Sequence, residues 1–146
     1  MNFRLLLTFW FFILVFFTSA AQSERSVDTS ALKIFEKVDI EASFPGGEVA
    51  WRKFLEQNLR ADVPLKRGAP AGSYTVWIQF VVDKNGNVSD LKPLTNLGYG
   101  MEAEIVRVLK KSPKWIPANQ NGSAVRAYRK QPVTFVIEEV GRKRRN

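Results

Sequence analysis

The residues able to do chemistry are few, and their spacing argues against catalysis. The 146-residue chain contains no His and no Cys. Without Cys there is no disulfide, thiolate metal site or thiol nucleophile. Without His the commonest metal ligand and the commonest general base near neutral pH are missing. Ser73, Ser89 and Ser123 therefore have no imidazole to activate them. The run Asp83-Lys84-Asn85-Gly86-Asn87-Val88-Ser89 puts oxygen side chains at alternate positions, as a calcium loop does. Its glycine stands fourth rather than sixth, however, and Leu94 replaces the bidentate acid that such a loop needs at its end. The run reads as a hairpin turn. The acid pair Asp39 and Glu41 falls on an expected strand. Glu102 and Glu104 fall in the first turn of an expected helix, where acids are favoured by the helix dipole alone. No enzymatic activity, cofactor or metal centre is expected.

What remains is chemistry of the main chain and of aromatic surfaces. Trp51, Trp77 and Trp115 could line a carbohydrate platform, although tryptophans on amphipathic elements usually serve the core. Trp77 differs, because it shares a face with Thr75, Gln79 and Val81, opposite the main apolar face of its strand. The closing strand has more promise. Arg126, Tyr128 and Lys130 alternate with Ala127, Arg129 and Gln131, after which residues 132–137 turn apolar. Thr134 and Val136 lie opposite Val133, Phe135 and Ile137. A terminal strand left at a sheet edge presents unpaired N–H and C=O groups and can accept another strand.

The elements that must position this strand are legible from periodicity. Tyr74, Val76, Ile78, Phe80 and Val82 alternate along a half-buried strand. Asn85-Gly86 marks a tight turn, since both residues tolerate positive φ. Residues 88–94 return, and Pro93 places that strand at an edge or keeps it short. Met101, Ile105, Val108 and Leu109 predict a helix over residues 101–112, stopped by Pro113. Asn121-Gly122 marks a second turn before the strand at 132–137. Upstream, Gly47 suits a helix N-cap, and Trp51, Phe54, Leu55 and Leu59 form an apolar stripe that packs on the sheet. Residues 31–42 could add a strand, and residues 63–72 read as a Pro- and Gly-rich loop. The expected fold is α+β, two helices packed on one face of a three- to four-stranded, largely antiparallel sheet.

The first 21 residues read as a secretory signal peptide: Arg4, an uncharged apolar run over residues 5–17, then small residues through Ala21. The rival reading is an uncleaved membrane anchor, because residues 5–21 reach the lower edge of a membrane span. Residues 22–31 form a flexible leader, residues 32–140 the domain, and residues 141–146 a basic tail. The chain carries 22 Lys and Arg against 14 Asp and Glu; Arg4 alone lies within the first 21, so the mature protein keeps a charge of about +7. Export turns that charge away from nucleic acid and towards lipid headgroups, envelope polymers or acidic peptides.

Four segments, in this order and spacing, resemble the TonB C-terminal domain family, in the version found in Bacteroidetes-type bacteria. They are Phe44-Pro45-Gly46-Gly47, residues 80–90, Lys114-Trp115-Ile116-Pro117-Ala118 with Gly122 after it, and Gln131-Pro132-Val133-Thr134-Phe135. The resemblance implies a domain that docks on TonB-dependent outer-membrane transporters in the periplasm. In that family a short extended segment of the transporter pairs with an edge strand. Here the matching positions are Gln131, Pro132, Val133, Thr134, Phe135, Val136 and Ile137. The loop before the first strand also contacts the partner in the family; its usual Tyr-Pro is Val63 and Pro64 in this chain.

Two departures matter. A complete transducer of this family uses a histidine in its membrane helix and a long Pro-rich spacer. This chain has no histidine, and residues 22–40 span at most about 65 Å. The expected function is an exported, TonB-like binding domain whose edge strand pairs with a transporter or another periplasmic protein. The alternatives are a short energy transducer anchored through residues 5–17, and an accessory domain that binds the cell wall through Trp77 and a basic face. A homodimer formed by edge-strand pairing is also open to such an edge.

Overall fold

The computed structural model describes residues 33–138. The expected signal or anchor at 1–21, the leader at 22–31 and the tail at 141–146 lie outside the described residues. Eight elements follow in order: α1 (Gly47–Asn58), α2 (Asp62–Lys66), β1 (Gly72–Val82), β2 (Val88–Pro93), α3 (Met101–Leu109), β3 (Ala118–Gln120), β4 (Ser123–Val125) and β5 (Ala127–Ile137). The main sheet has the order β2-β1-β5 and is antiparallel throughout. β3 and β4 form a separate hairpin. α1 and α3 cover one face of the main sheet. The α+β architecture is therefore the expected one, with β3 and β4 set apart and a short extra helix.

The alternation of β1 explains the layering. Val76, Ile78, Phe80 and Val82 have no solvent exposure and meet Met101, Ile105 and Leu109 of α3 and Val133, Phe135 and Ile137 of β5 in one core. Five aromatic rings complete it beneath α1. Trp115 lies 5.0 Å from Phe80, 5.7 Å from Trp51 and 5.6 Å from Phe44, centroid to centroid, and Phe54 stacks on Trp51 at 5.9 Å. Each such contact adds about 0.5–1.5 kcal/mol beyond the area it buries.

Several boundaries differ from the sequence reading, each for a local reason. The N-cap of α1 is Gly46 rather than Gly47, with φ 84°. α3 stops at Leu109, short of Ser112. The Ser112 hydroxyl and amide both turn back to the Leu109 carbonyl, and the following Pro113 disfavours helical geometry at Ser112. Residues 62–66 are helical rather than looped. Pro64 stands in the first turn of α2, where its missing N–H costs little. Residues 35–43 do not form a strand but make isolated bridges, Phe35 to β5, Ile40 to β3 and Ser43 to Ile116 just before β3.

The turns obey the same chemistry. Asn121 and Gly122 both take positive φ, 51° and 79°, as a two-residue hairpin requires. The β1–β2 connection is longer than a two-residue turn, and only Gly86 takes positive φ there, at 82°. Asp83 organises it. Its Oδ1 accepts the amides of Asn85 and Asn87 at 2.8 Å each, and its Oδ2 accepts the Asn87 side-chain amide. Burial disfavours the charged carboxylate, but the Asn87 side chain and these backbone amides outweigh it, so the Asp83 pKa falls below its ordinary value. Gly86 is also pinned from outside. It accepts the Trp115 amide at 2.8 Å, and a Cβ at this position would sit 2.1 Å from the Trp115 carbonyl oxygen. Gly86→Ala should therefore lose about 2–3 kcal/mol of stability, from the left-handed backbone and the clash together. Urea unfolding should show the loss as a lower midpoint. A change under about 0.5 kcal/mol would contradict this account of the turn.

Candidate functional site

β5 pairs along its whole 11-residue length with β1, from Ala127 opposite Val82 to Ile137 opposite Gly72, without a bulge. Among the described residues, no strand of the main sheet lies beyond it. The direction of each main-chain group follows from two contacts. The Tyr128 amide donates to the Phe35 carbonyl, and the Phe35 amide donates to the Arg126 carbonyl, each at 2.9 Å. The even-numbered residues of β5 thus turn their N–H and C=O groups outward, and the odd-numbered residues turn theirs towards β1. β1 agrees independently. The Trp77 carbonyl accepts the Leu94 amide on the β2 side, so odd residues of β1 point away from β5.

The outward edge is partly occupied and partly open. Phe35, held under the ammonium of Lys33 at 4.6 Å, covers positions 126 and 128. Residues 130–136 have no strand beside them among the described residues. They offer the carbonyls of Lys130, Pro132, Thr134 and Val136 and the amides of Lys130, Thr134 and Val136. Position 132 offers no amide. This is why a proline fits in the middle of a long strand: its missing N–H faces the edge rather than the β1 ladder. The sequence reading began the strand at Pro132; the structure extends it back to Ala127 for the same reason.

Side chains divide the strand by face. Gln131, Val133, Phe135 and Ile137 are buried on the helix side, and Pro132, Thr134 and Val136 are exposed on the other, with Val136 71% accessible. Thr134 and Thr75 share a hydroxyl hydrogen bond of 2.9 Å across the ladder on that exposed face. Trp77 lies there too, opposite Pro132 and 44% accessible. The predicted positions 131–137 thus share one strand at one edge. Val63 and Pro64 do not join them. Both belong to α2, which packs against α3, and the Pro64 ring is fully buried.

Periodicity did not reveal the groove alongside the edge. A cavity of about 620 Å³ runs between α1 and β5, lined by Trp51 and Leu55 from the helix, by Leu59 just past its C-terminal end, and by Pro132, Val133 and Thr134 from the strand. Glu48, Arg52 and Glu56 line it as well, one helical turn apart and exposed. The apolar stripe of α1 was legible as a core stripe. Trp51 is indeed buried, but Leu55 and Leu59 are only half-buried and wall the groove.

The C-terminal end of α1 is held in place by a carboxylate. Glu104 of α3 is only 5% exposed, accepts Arg107 Nε at 2.9 Å and accepts the backbone amide of Arg60 at 2.8 Å. Arg107 in turn donates to the Asn58 carbonyl at 2.6 Å. The Arg107 hydrogen bond holds the Glu104 pKa below its ordinary 4.5, against the opposing effect of burial. A depressed carboxylate stabilises the fold above its unfolded value, and that contribution disappears as pH falls through the lower folded value. Urea midpoints should thus decline below about pH 4.5, and Glu104→Gln should flatten that part of the profile. At pH 7 the variant should lose about 1.5–3 kcal/mol. An unchanged pH profile would remove Glu104 from this role.

Among the described residues no cluster of acids could hold a metal ion, and no helix is long and apolar enough to cross a membrane. Residues 73–137 match the family model for the Gram-negative bacterial TonB protein C-terminal. No curated protein and no solved structure matches the chain significantly. The matched region contains β1 from Ser73 onward, β2, α3, the β3–β4 hairpin and the open strand β5, and over these residues the chain is similar to the TonB C-terminal domain family.

Proposed function

We propose that this protein is an exported, TonB-like binding domain that pairs the open edge of β5 with an extended segment of an outer-membrane transporter or of another periplasmic protein. The family match over residues 73–137 supports a TonB-like role in energy-coupled transport, exercised through protein interaction. The observation that carries the finer reading is the edge itself. Residues 130–136 expose four carbonyls and three amides along one line, and Phe35 already uses the same edge one step away. Main-chain bonds would supply much of the affinity, so a range of partner sequences is tolerated.

Thr134→Pro tests the pairing cleanly. Residue 134 turns its amide outward, so the substitution removes an edge donor and no main-chain bond to β1, along with the exposed Thr134–Thr75 hydroxyl bond. Binding of a partner segment should weaken about tenfold or more, read by calorimetry, while the urea midpoint falls no further than in Thr134→Val, which loses the same hydroxyl bond but keeps the amide. Pro132→Ala restores a donor and should bind at least as well as the parent. Val133→Pro is no substitute, because residue 133 points its amide into the ladder and its loss would disrupt the sheet. Equal affinity of the parent and Thr134→Pro would exclude pairing at this edge.

The periplasmic location rests on residues 1–21, and intact mass after envelope fractionation tests it. A soluble species beginning near Gln22 is the expected result. A membrane-held species retaining Met1 would favour the anchored transducer instead.

A further inference from the structure

The groove beside the edge extends the pairing reading from main chain to side chain. A strand added to β5 would lie one strand spacing, about 4.8 Å, beyond it. Paired residues on neighbouring strands point to the same face whichever way the new strand runs. A partner residue opposite Gln131, Val133 or Phe135 therefore points to the helix side. One opposite Lys130, Pro132, Thr134 or Val136 points to the face of Thr75 and Trp77. The groove is centred on Val133, since its strand wall is Pro132, Val133 and Thr134.

We infer that this groove is a side-chain subsite of the strand acceptor, taking one apolar side chain from the partner residue opposite Val133. The inference rests on the pairing reading above. The lining supports an apolar occupant. Trp51 and Leu55 of α1, with Leu59 just past its end, form one wall, and Val133 is the side chain directed inward from the strand. The charged residues Glu48, Arg52 and Glu56 are exposed, so they rim the site rather than floor it. The subsite is bounded at one end, because Glu48 and Trp51 also line a smaller cavity with Gln131 and Arg129. The Arg129 guanidinium there is engaged by Glu41 and by Gln131. A second apolar side chain two residues along, opposite Gln131, would meet these polar groups. The partner is thus an extended segment of about seven residues, limited by Phe35, with an apolar residue near its middle. The unpaired position at Pro132 adjoins that residue, so one main-chain bond is traded for one buried side chain.

Two capped heptapeptides of threonine, with either leucine or serine at the centre, test this on the full-length protein. Binding followed by amide chemical shifts should favour the leucine peptide by about tenfold or more, the effect of burying most of one leucine side chain. A photo-reactive leucine analogue at the same position should crosslink to Trp51, Leu55, Leu59 or Val133. Leu55→Ser should bring the two affinities close together without abolishing binding of the serine peptide. If both peptides bind equally, with loss on Thr134→Pro, the pairing stands and the subsite is refuted. Crosslinks confined to Thr75 or Trp77 would refute it too, by placing the side chain on the wrong face. If neither peptide binds, the pairing reading fails and the subsite with it.

Discussion

The β1–β5 ladder is the constraint on which the rest of the structure depends. It is long, unbroken and antiparallel, so its hydrogen-bond parity is constant from end to end. That one parity decides which side chains enter the core, which face water and which main-chain groups are spent. It also decides what is left over. Because the even residues of β5 are not used by β1, their amides and carbonyls lie along the outer edge. A one-residue slip would exchange the faces, burying Thr134 and Val136 and exposing Val133 and Phe135.

The edge and the core are therefore built from the same residues without conflict. Val133 and Phe135 anchor the strand while Thr134 and Val136 leave its outer side unobstructed. Proline at 132 satisfies two demands at once. It cannot donate, which costs nothing on the ladder side, and it interrupts the donor row that would otherwise invite unselective pairing. Phe35 closes the end of the row nearest β4. A bounded edge of this kind accepts a short strand more readily than an extended sheet.

The helices turn that edge into one wall of a groove. α1 is fixed at its start by the aromatic group around Trp115 and near its end by Glu104 and Arg107 of α3. Its apolar stripe is wider than the sheet can cover, so Leu55 and Leu59 remain half-open beside Val133. A helix held at both ends gives such a groove a constant width. This favours binding, because less conformational freedom is lost when the partner docks.

The sequence by itself determined the elements whose signals are local. Alternation identified β1, the α3 stripe identified its helix, and Asn121-Gly122 identified a two-residue turn. The missing His and Cys turned attention from catalysis to binding, and residues 131–137 were legible as a terminal strand. Other features needed the fold, because they depend on contacts distant in sequence. The start of β5 was hidden by Pro132, whose tolerance depends on which neighbour its missing amide faces. Val63 and Pro64 read as part of a loop, whereas the fold makes them helical and buries the Pro64 ring. Leu55 and Leu59 read as core because periodicity reports which residues share a helix face, not how far the sheet beneath that face extends. The groove belongs to tertiary structure for that reason: its two walls are more than seventy residues apart in the chain and adjoin only when α1 is laid across the edge of β5.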